Sequence, residues 1–78
     1  MIRNETLTYG FIERVMVEYK ESRGLRWLDE FYKTVGIENI IASGLGDSVV
    51  DLLDELGENR KKVWRAKKMF ANRKVQND

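Results

Sequence analysis

Residues 59 to 78 carry eight Lys and Arg, namely Arg60, Lys61, Lys62, Arg65, Lys67, Lys68, Arg73 and Lys74, against a single acid, Asp78, a net of +7. The chemistry open to such a segment is ionic capture of an anion. Each cation that neutralises a phosphate releases condensed counterions, which gives affinity that strengthens as salt falls. Residues 1 to 58 are the reverse, with 12 Asp and Glu against six Lys and Arg, a net of −6. A net charge of +1 for the whole chain therefore hides an acidic segment followed by a basic arm. That asymmetry points to nucleic acid, to an anionic surface, or to an acidic protein partner, including a second copy of the chain.

One aromatic residue stands inside the arm. At about 100° per residue, Val63, Ala66 and Phe70 fall in one stripe of a helix, while Trp64, Ala71 and Val75 fall in a second stripe about 100° away. Arg60, Lys67 and Lys74 lie between the two stripes, and Lys61, Arg65, Lys68 and Asn72 form a purely polar face from which phosphate contacts should come. An indole set apart among cations can stack on a base or fill a partner's pocket. It can also pack on a neighbouring helix while the lysines lay their methylene stems along apolar surface and keep their charges in water.

Catalysis has little to work with. The chain has no His and no Cys, so the commonest general base, a frequent nucleophile and the commonest transition-metal ligands are all missing. Asp51, Asp54 and Glu55 cluster on one short stretch, opposite Leu52, Leu53 and Leu56, with no accompanying calcium-binding loop. A solvated helix face accounts for them. No glycine-rich loop followed by Lys and Ser or Thr offers a nucleotide site. The expectation is a protein with no catalytic residues, no metal and no cofactor.

The run Ile40-Ile41-Ala42-Ser43-Gly44-Leu45-Gly46-Asp47-Ser48-Val49-Val50 places two glycines around an apolar residue, between an apolar turn and an apolar helix. Over residues 37 to 53 it resembles the helix-hairpin-helix motif of DNA repair and recombination proteins. The resemblance implies a phosphate turn at Gly44, Gly46 and Ser48, where backbone amides at the start of the second helix hold the anion. The family usually has Pro where this chain has Ser43, and often a basic or small residue where it has Asp47. The alternative is conformational: Gly44 as a helix C-cap, Gly46 relieving a tight turn and Asp47 capping the next helix. A helix-turn-helix over residues 28 to 45 would put bulky Tyr32 where two helices must pack closely and glycines inside the recognition helix.

The elements that must position these residues are helical. There is no proline, and glycines fall between the apolar periods. Leu7, Phe11, Ile12, Val15, Met16 and Tyr19 recur at three and four residues, giving a long amphipathic helix that stops at Gly24. Val17 interrupts its polar side. Leu25, Trp27, Leu28, Phe31, Tyr32 and Val35 form the apolar arc of a second helix ending at Gly36, with Trp27 inside that arc and so in the core. Ile37, Ile40 and Ile41 mark a short third piece. The next helix is expected to begin at Asp47 or Ser48, with Ser48 and Asp51 at capping-box spacing, and to close at Gly57. Asn59 is then the cap of the basic helix.

A chain of 78 residues makes one domain at most and buries only roughly 60% of its unfolded surface. The fold class expected is all-α, four or five helices in an orthogonal or bundle-like arrangement, with an acidic domain at 1–58 and a basic helix at 59–78 packed on it or extending from it. A thin core of this kind leaves room for a homo-oligomer. The start, Met1 to Glu5, lacks the apolar run of a secretory signal, and no stretch approaches the ~20 apolar residues of a membrane span. With the absence of cysteine, this suits a cytoplasmic protein. The functional expectation is a small regulatory or accessory protein that contacts DNA or RNA through Arg60, Lys61, Lys62, Trp64, Arg65, Lys67, Lys68, Arg73 and Lys74. The alternative is a protein-interaction module, an inhibitor, adaptor or assembly factor, using the basic helix or the acidic face against a protein partner.

Overall fold

In a computed structural model the backbone is described for residues 7–75 and the side chains for residues 7–72. Thr8 begins the first helix: it is extended, and its hydroxyl oxygen accepts the Phe11 N–H at 3.2 Å. Such a cap satisfies one of the amides that the first turn leaves without an intrahelical partner. Helix α1 accordingly runs Tyr9–Arg23, leaving Leu7 outside the helix the apolar spacing had placed it in. Ile12 and Met16, four apart, are buried, with Val15 and Tyr19 packed beside them. Phe11 is 38% exposed, because it lies about 100° round the helix from Ile12 and falls off the edge of the core stripe.

A single 3-10 turn, Gly24–Arg26, separates α1 from α2, Trp27–Val35. This turn corrects the expected apolar arc. Leu25 is 92% exposed, since a residue in a 3-10 turn no longer shares the 3.6-residue phase of the helix that follows it. Trp27, Leu28 and Phe31 carry the buried face, and Asp29 and Glu30 stand in the first turn, where carboxylates complement the helix dipole.

Helix α3, Ile37–Ala42, buries Ile40 and ends in a paired backbone closure. Leu45 N–H donates to Ile40 C=O at 3.0 Å and Gly44 N–H to Ile41 C=O at 2.9 Å, with Gly44 at φ +73°. Only glycine takes that left-handed geometry without Cβ strain. Helix α4, Gly46–Glu55, starts earlier than expected, and the Ser48–Asp51 capping box does not form. Ser48 is already the third helical residue, with Leu45 at the cap position and no side-chain cap bond there. The end of α4 repeats the closure of α3: Glu58 N–H reaches Leu53 C=O at 3.0 Å, Gly57 N–H reaches Asp54 C=O at 3.1 Å, and Gly57 has φ +85°.

Asn59 then caps α5, Arg60–Val75, through Oδ1 accepting from Lys62 N–H at 3.0 Å. The second closure folds α4 back on α5, whereas α3 packs on α2 and α5. α4 packs most extensively on α5, α1 on α2, and α1 meets α4. Ala66 and Phe70 of α5 enter the same buried cluster as Ile12, Met16, Phe31, Ile40, Val49 and Leu53. Tyr19, Phe31, Tyr32 and Phe70 form a file of rings from α1 through α2 to α5, with centroids 6.2, 5.8 and 6.3 Å apart in turn. Tilted and edge contacts at such distances are the preferred aromatic arrangement. The architecture is all-α, and no helix among the described residues is long and apolar enough to cross a membrane.

Candidate nucleic-acid interface

Because Ala66 and Phe70 anchor α5 on one side, its opposite side is turned to solvent. Ala66 lies about 160° round the helix from Trp64, so the indole sits near the solvent apex, 59% exposed. Arg60 and Lys67 flank it on one side of the wheel, Lys61 and Lys68 on the other, and all four are exposed. Lys68 Nζ stands 4.8 Å from the indole centroid, within the range of a cation–π contact. Arg65 is also exposed and reaches toward the α2 side. Arg73 and Lys74 belong to the last turn of α5 by backbone, and their side chains lie outside the described residues.

Lys62 has a different position. It is half-buried, and its Nζ is 3.5 Å from Glu58 Oε1. Glu58 Oε2 also accepts from Lys20 Nζ at 2.5 Å and from the Trp27 indole Nε1–H at 3.2 Å. With a side chain 8% exposed, desolvation pushes the Glu58 carboxyl upward. The hydrogen bonds from Lys20 and Trp27 and the charges of Lys20 and Lys62 outweigh that, and hold it below its ordinary value. Among the described residues, Lys62 is the one arm cation in an ion pair. Arg60, Lys61, Arg65, Lys67 and Lys68 form no ion pair among the described residues.

A cleft of about 460 Å³ lies beside Trp64, lined by Asp54, Arg60, Lys61, Val63, Trp64 and Lys67. Asp54 is solvent-exposed, as its place opposite Leu52 and Leu53 implied, and it also supplies the cleft's one carboxylate. The signal for this juxtaposition was the short Gly57 closure, since a brief connection makes consecutive helices antiparallel neighbours and brings residues on either side of it together. Asp51 and Glu55 lie instead near Tyr9, whose hydroxyl is held above its ordinary value by desolvation first, then by the charge of Glu13, with Glu55 and Asp51 adding to it. Asp54 thus borders the basic face of α5, as Glu58 does through Lys62.

The hairpin glycines have conformational and packing roles. Gly44 is the C-cap residue described above, and Ser48 is half-buried within α4. Gly46 lies under Phe70: a Cβ there would stand 3.0 to 3.1 Å from the phenyl ring. The ring closes over the hairpin and leaves a cleft of only about 50 Å³. A second groove, of about 340 Å³, runs between α2 and α5, with Leu25, Asp29, Tyr32, Arg65 and Met69 among its walls. The Tyr32 hydroxyl is buried without a hydrogen-bond partner among the described residues. Desolvation, with a smaller effect of Asp29, pushes it up to about 12. Neither this groove nor the Glu58 junction was legible from residue spacing.

Comparison with protein-family models, with curated proteins and with solved structures yields no match to this chain.

Proposed function

We propose that this protein is a small, non-enzymatic binding protein that contacts nucleic acid through the solvent face of α5. The observation that carries the reading is the exposed group Arg60, Lys61, Arg65, Lys67 and Lys68 around an exposed Trp64, on a helix whose other side is held in the core by Ala66 and Phe70. Cations in such a group are available to phosphates without breaking a structural ion pair. Their affinity should be non-specific in origin and strongly salt-dependent. The acids of α1 and α4 oppose it weakly beyond about 10 Å at 0.1 M salt, and Asp54 opposes it at closer range.

The test is titration of the protein with labelled oligonucleotides over a range of salt. Affinity should fall steeply as salt rises, and Lys61→Glu, Arg65→Glu and Lys68→Glu combined should abolish it while helicity is retained. Binding that survives the triple reversal, or that is indifferent to salt, overturns the reading.

Leu25 favours a second reading, a protein-interaction module. Leu25 is 92% exposed and shares the groove between α2 and α5 with Tyr32 and Met69, so a partner helix laid in that groove would cover all three. Pull-down from lysate with and without nuclease separates the two: partners that all disappear after nuclease favour nucleic acid, and a stoichiometric protein that survives favours the module.

A further inference from the structure

Resting on the nucleic-acid reading of α5, we propose that the ligand is an unpaired strand rather than a duplex, with a base stacked on Trp64 in the cleft toward α4 and its phosphates along Lys61, Arg65 and Lys68. Three observations converge on this. Trp64 is near the solvent apex of α5 and 59% exposed, so its ring is reachable by a ligand without any movement of the core. Trp27, by contrast, is only 2% exposed, which leaves Trp64 as the accessible indole of the two that the chain contains.

The chemistry around the ring is that of a base site bordered by a phosphate track. Lys68 approaches the indole at 4.8 Å and does not line the cleft, whereas Arg60, Lys61, Val63, Lys67 and Asp54 do. Arg60, Lys61 and Lys67 offset the Asp54 carboxylate in the cleft, so a phosphate is disfavoured only where it would face that carboxylate directly. The same carboxylate accepts hydrogen bonds from the ring or exocyclic N–H groups of a base edge. The phosphates then run from Lys61, at the edge of the cleft, onto Arg65 and Lys68, which do not line the cleft with Asp54. Base to one side and backbone to the other is the geometry of single-strand binding sites, in which aromatic rings take the π-faces of successive bases and cations follow the backbone.

A duplex does not offer the matching surface. Its base faces are stacked on one another, and it presents only groove edges and phosphates. An indole at the centre of the cationic face would meet a duplex as an apolar protrusion between the lysines and the phosphates. It gains stacking area only where a base is free.

The experiment measures affinity for a labelled oligothymidine, the corresponding oligouridine, and a mixed-sequence duplex, each roughly a dozen nucleotides long, at one low salt concentration. It uses the full chain and the Trp64→Ala variant, with a thermal melt of the variant to establish that it folds. At least one single strand should bind at least about fivefold more tightly than the duplex, the low end of what stacking of one base supplies. Trp64→Ala should remove that preference while leaving duplex binding nearly unchanged, and indole emission should change on single-strand binding. Equal or tighter duplex binding, or single-strand affinity indifferent to Trp64→Ala, overturns the inference and leaves the nucleic-acid reading standing. Absence of binding to every oligonucleotide overturns both.

Discussion

The indole Nε1–H of Trp27 donates to Glu58 Oε2 at 3.2 Å, and so ties the turn between α4 and α5 to the first residue of α2. Lys20 adds α1 to the same oxygen, and Lys62 adds α5 to the other. One carboxylate thus joins three helices, α1, α2 and α5, to the turn that follows α4. The orientation of α5, and with it the outward direction of Trp64, depends on this junction as well as on the burial of Ala66 and Phe70.

Removing that carboxylate should loosen the junction. Glu58→Ala leaves the Trp27 N–H buried without its acceptor and Lys20 without its anion, a loss of about 1–3 kcal/mol. The pH dependence has a definite direction. The folded carboxyl is held below its ordinary 4.5, so the unfolded chain binds the proton more readily, and the contribution is fully present above that ordinary value. It should disappear as pH falls below 4.5 and through the folded value. Denaturant melts across this acid range should show a decline for the wild type that is smaller in Glu58→Gln. Equal declines would remove Glu58 as its source.

The two tryptophans should separate core from surface. Trp27→Ala is expected to cost roughly 3–5 kcal/mol of stability, because a large ring 2% exposed leaves a cavity. Trp64→Ala should change stability by no more than about 1 kcal/mol, the value of its exposed contact with Lys68, and should weaken ligand binding by on the order of 2 kcal/mol. Melting temperatures and titrations on the same two variants measure the contrast. A Trp64→Ala protein as unstable as Trp27→Ala would make the indole a structural member.

Much of this was legible in the sequence because local signals and burial agree. The period of Ile12 and Met16, the stops at Gly24, Gly36 and Gly57, the cap at Asn59, and the separation of Trp64 from Val63 and Phe70 all reappear in the fold. Leu25 misled because apolar character continues through a change of backbone phase, and the Ser48–Asp51 pair because a capping motif has no meaning once the helix has begun a turn earlier. Glu58 was out of reach for another reason. Its partners Lys20 and Trp27 are 38 and 31 residues away, and no periodicity within one helix encodes such a meeting. The cleft at Asp54 and the groove at Tyr32 likewise exist only after helices pack.

Two glycine substitutions should move stability in opposite directions. Gly46→Ala puts a Cβ 3.0 to 3.1 Å from the Phe70 ring, which is buried and already in contact with Tyr32. Displacing it should cost about 1–3 kcal/mol, the usual penalty of overpacking. Gly10→Ala meets nothing within 4 Å in α1 and should gain about 0.4–1 kcal/mol by restricting the unfolded chain. Chemical denaturation of both variants is the measurement. A stabilised Gly46→Ala protein would mean that Phe70 moves aside freely.

Tyr32→Phe should be neutral or stabilising by up to about 1 kcal/mol, since it deletes a buried hydroxyl without a partner among the described residues. The alkaline limb carries its own sign. With the folded hydroxyl pushed up to about 12 from 10.0, the folded state keeps its proton where the unfolded chain has lost it, and stability falls as pH rises above 10. Tyr32→Phe should flatten that fall. An unaltered alkaline profile would show that another group governs it.

The last prediction concerns what the arm's charge does for the protein itself. Lys61, Arg65 and Lys68 form no ion pair among the described residues, and reversing all three takes residues 59 to 78 from +7 to +1. Lys61 stands in the first turn of α5, where Glu is favoured by the helix dipole by about 0.3–1 kcal/mol. Lys68→Glu removes the contact with the Trp64 ring, worth about 0.5–1 kcal/mol at an exposed site. The two effects nearly cancel, so the triple variant should melt within a few degrees of the wild type at any protein concentration. A large loss of stability would mean that these cations neutralise the acidic helices of the same molecule. A wild-type melting temperature that rises with concentration, and ceases to do so in the variant, would mean that they neutralise a second copy. Either result would withdraw the charge from nucleic acid and give it a structural role.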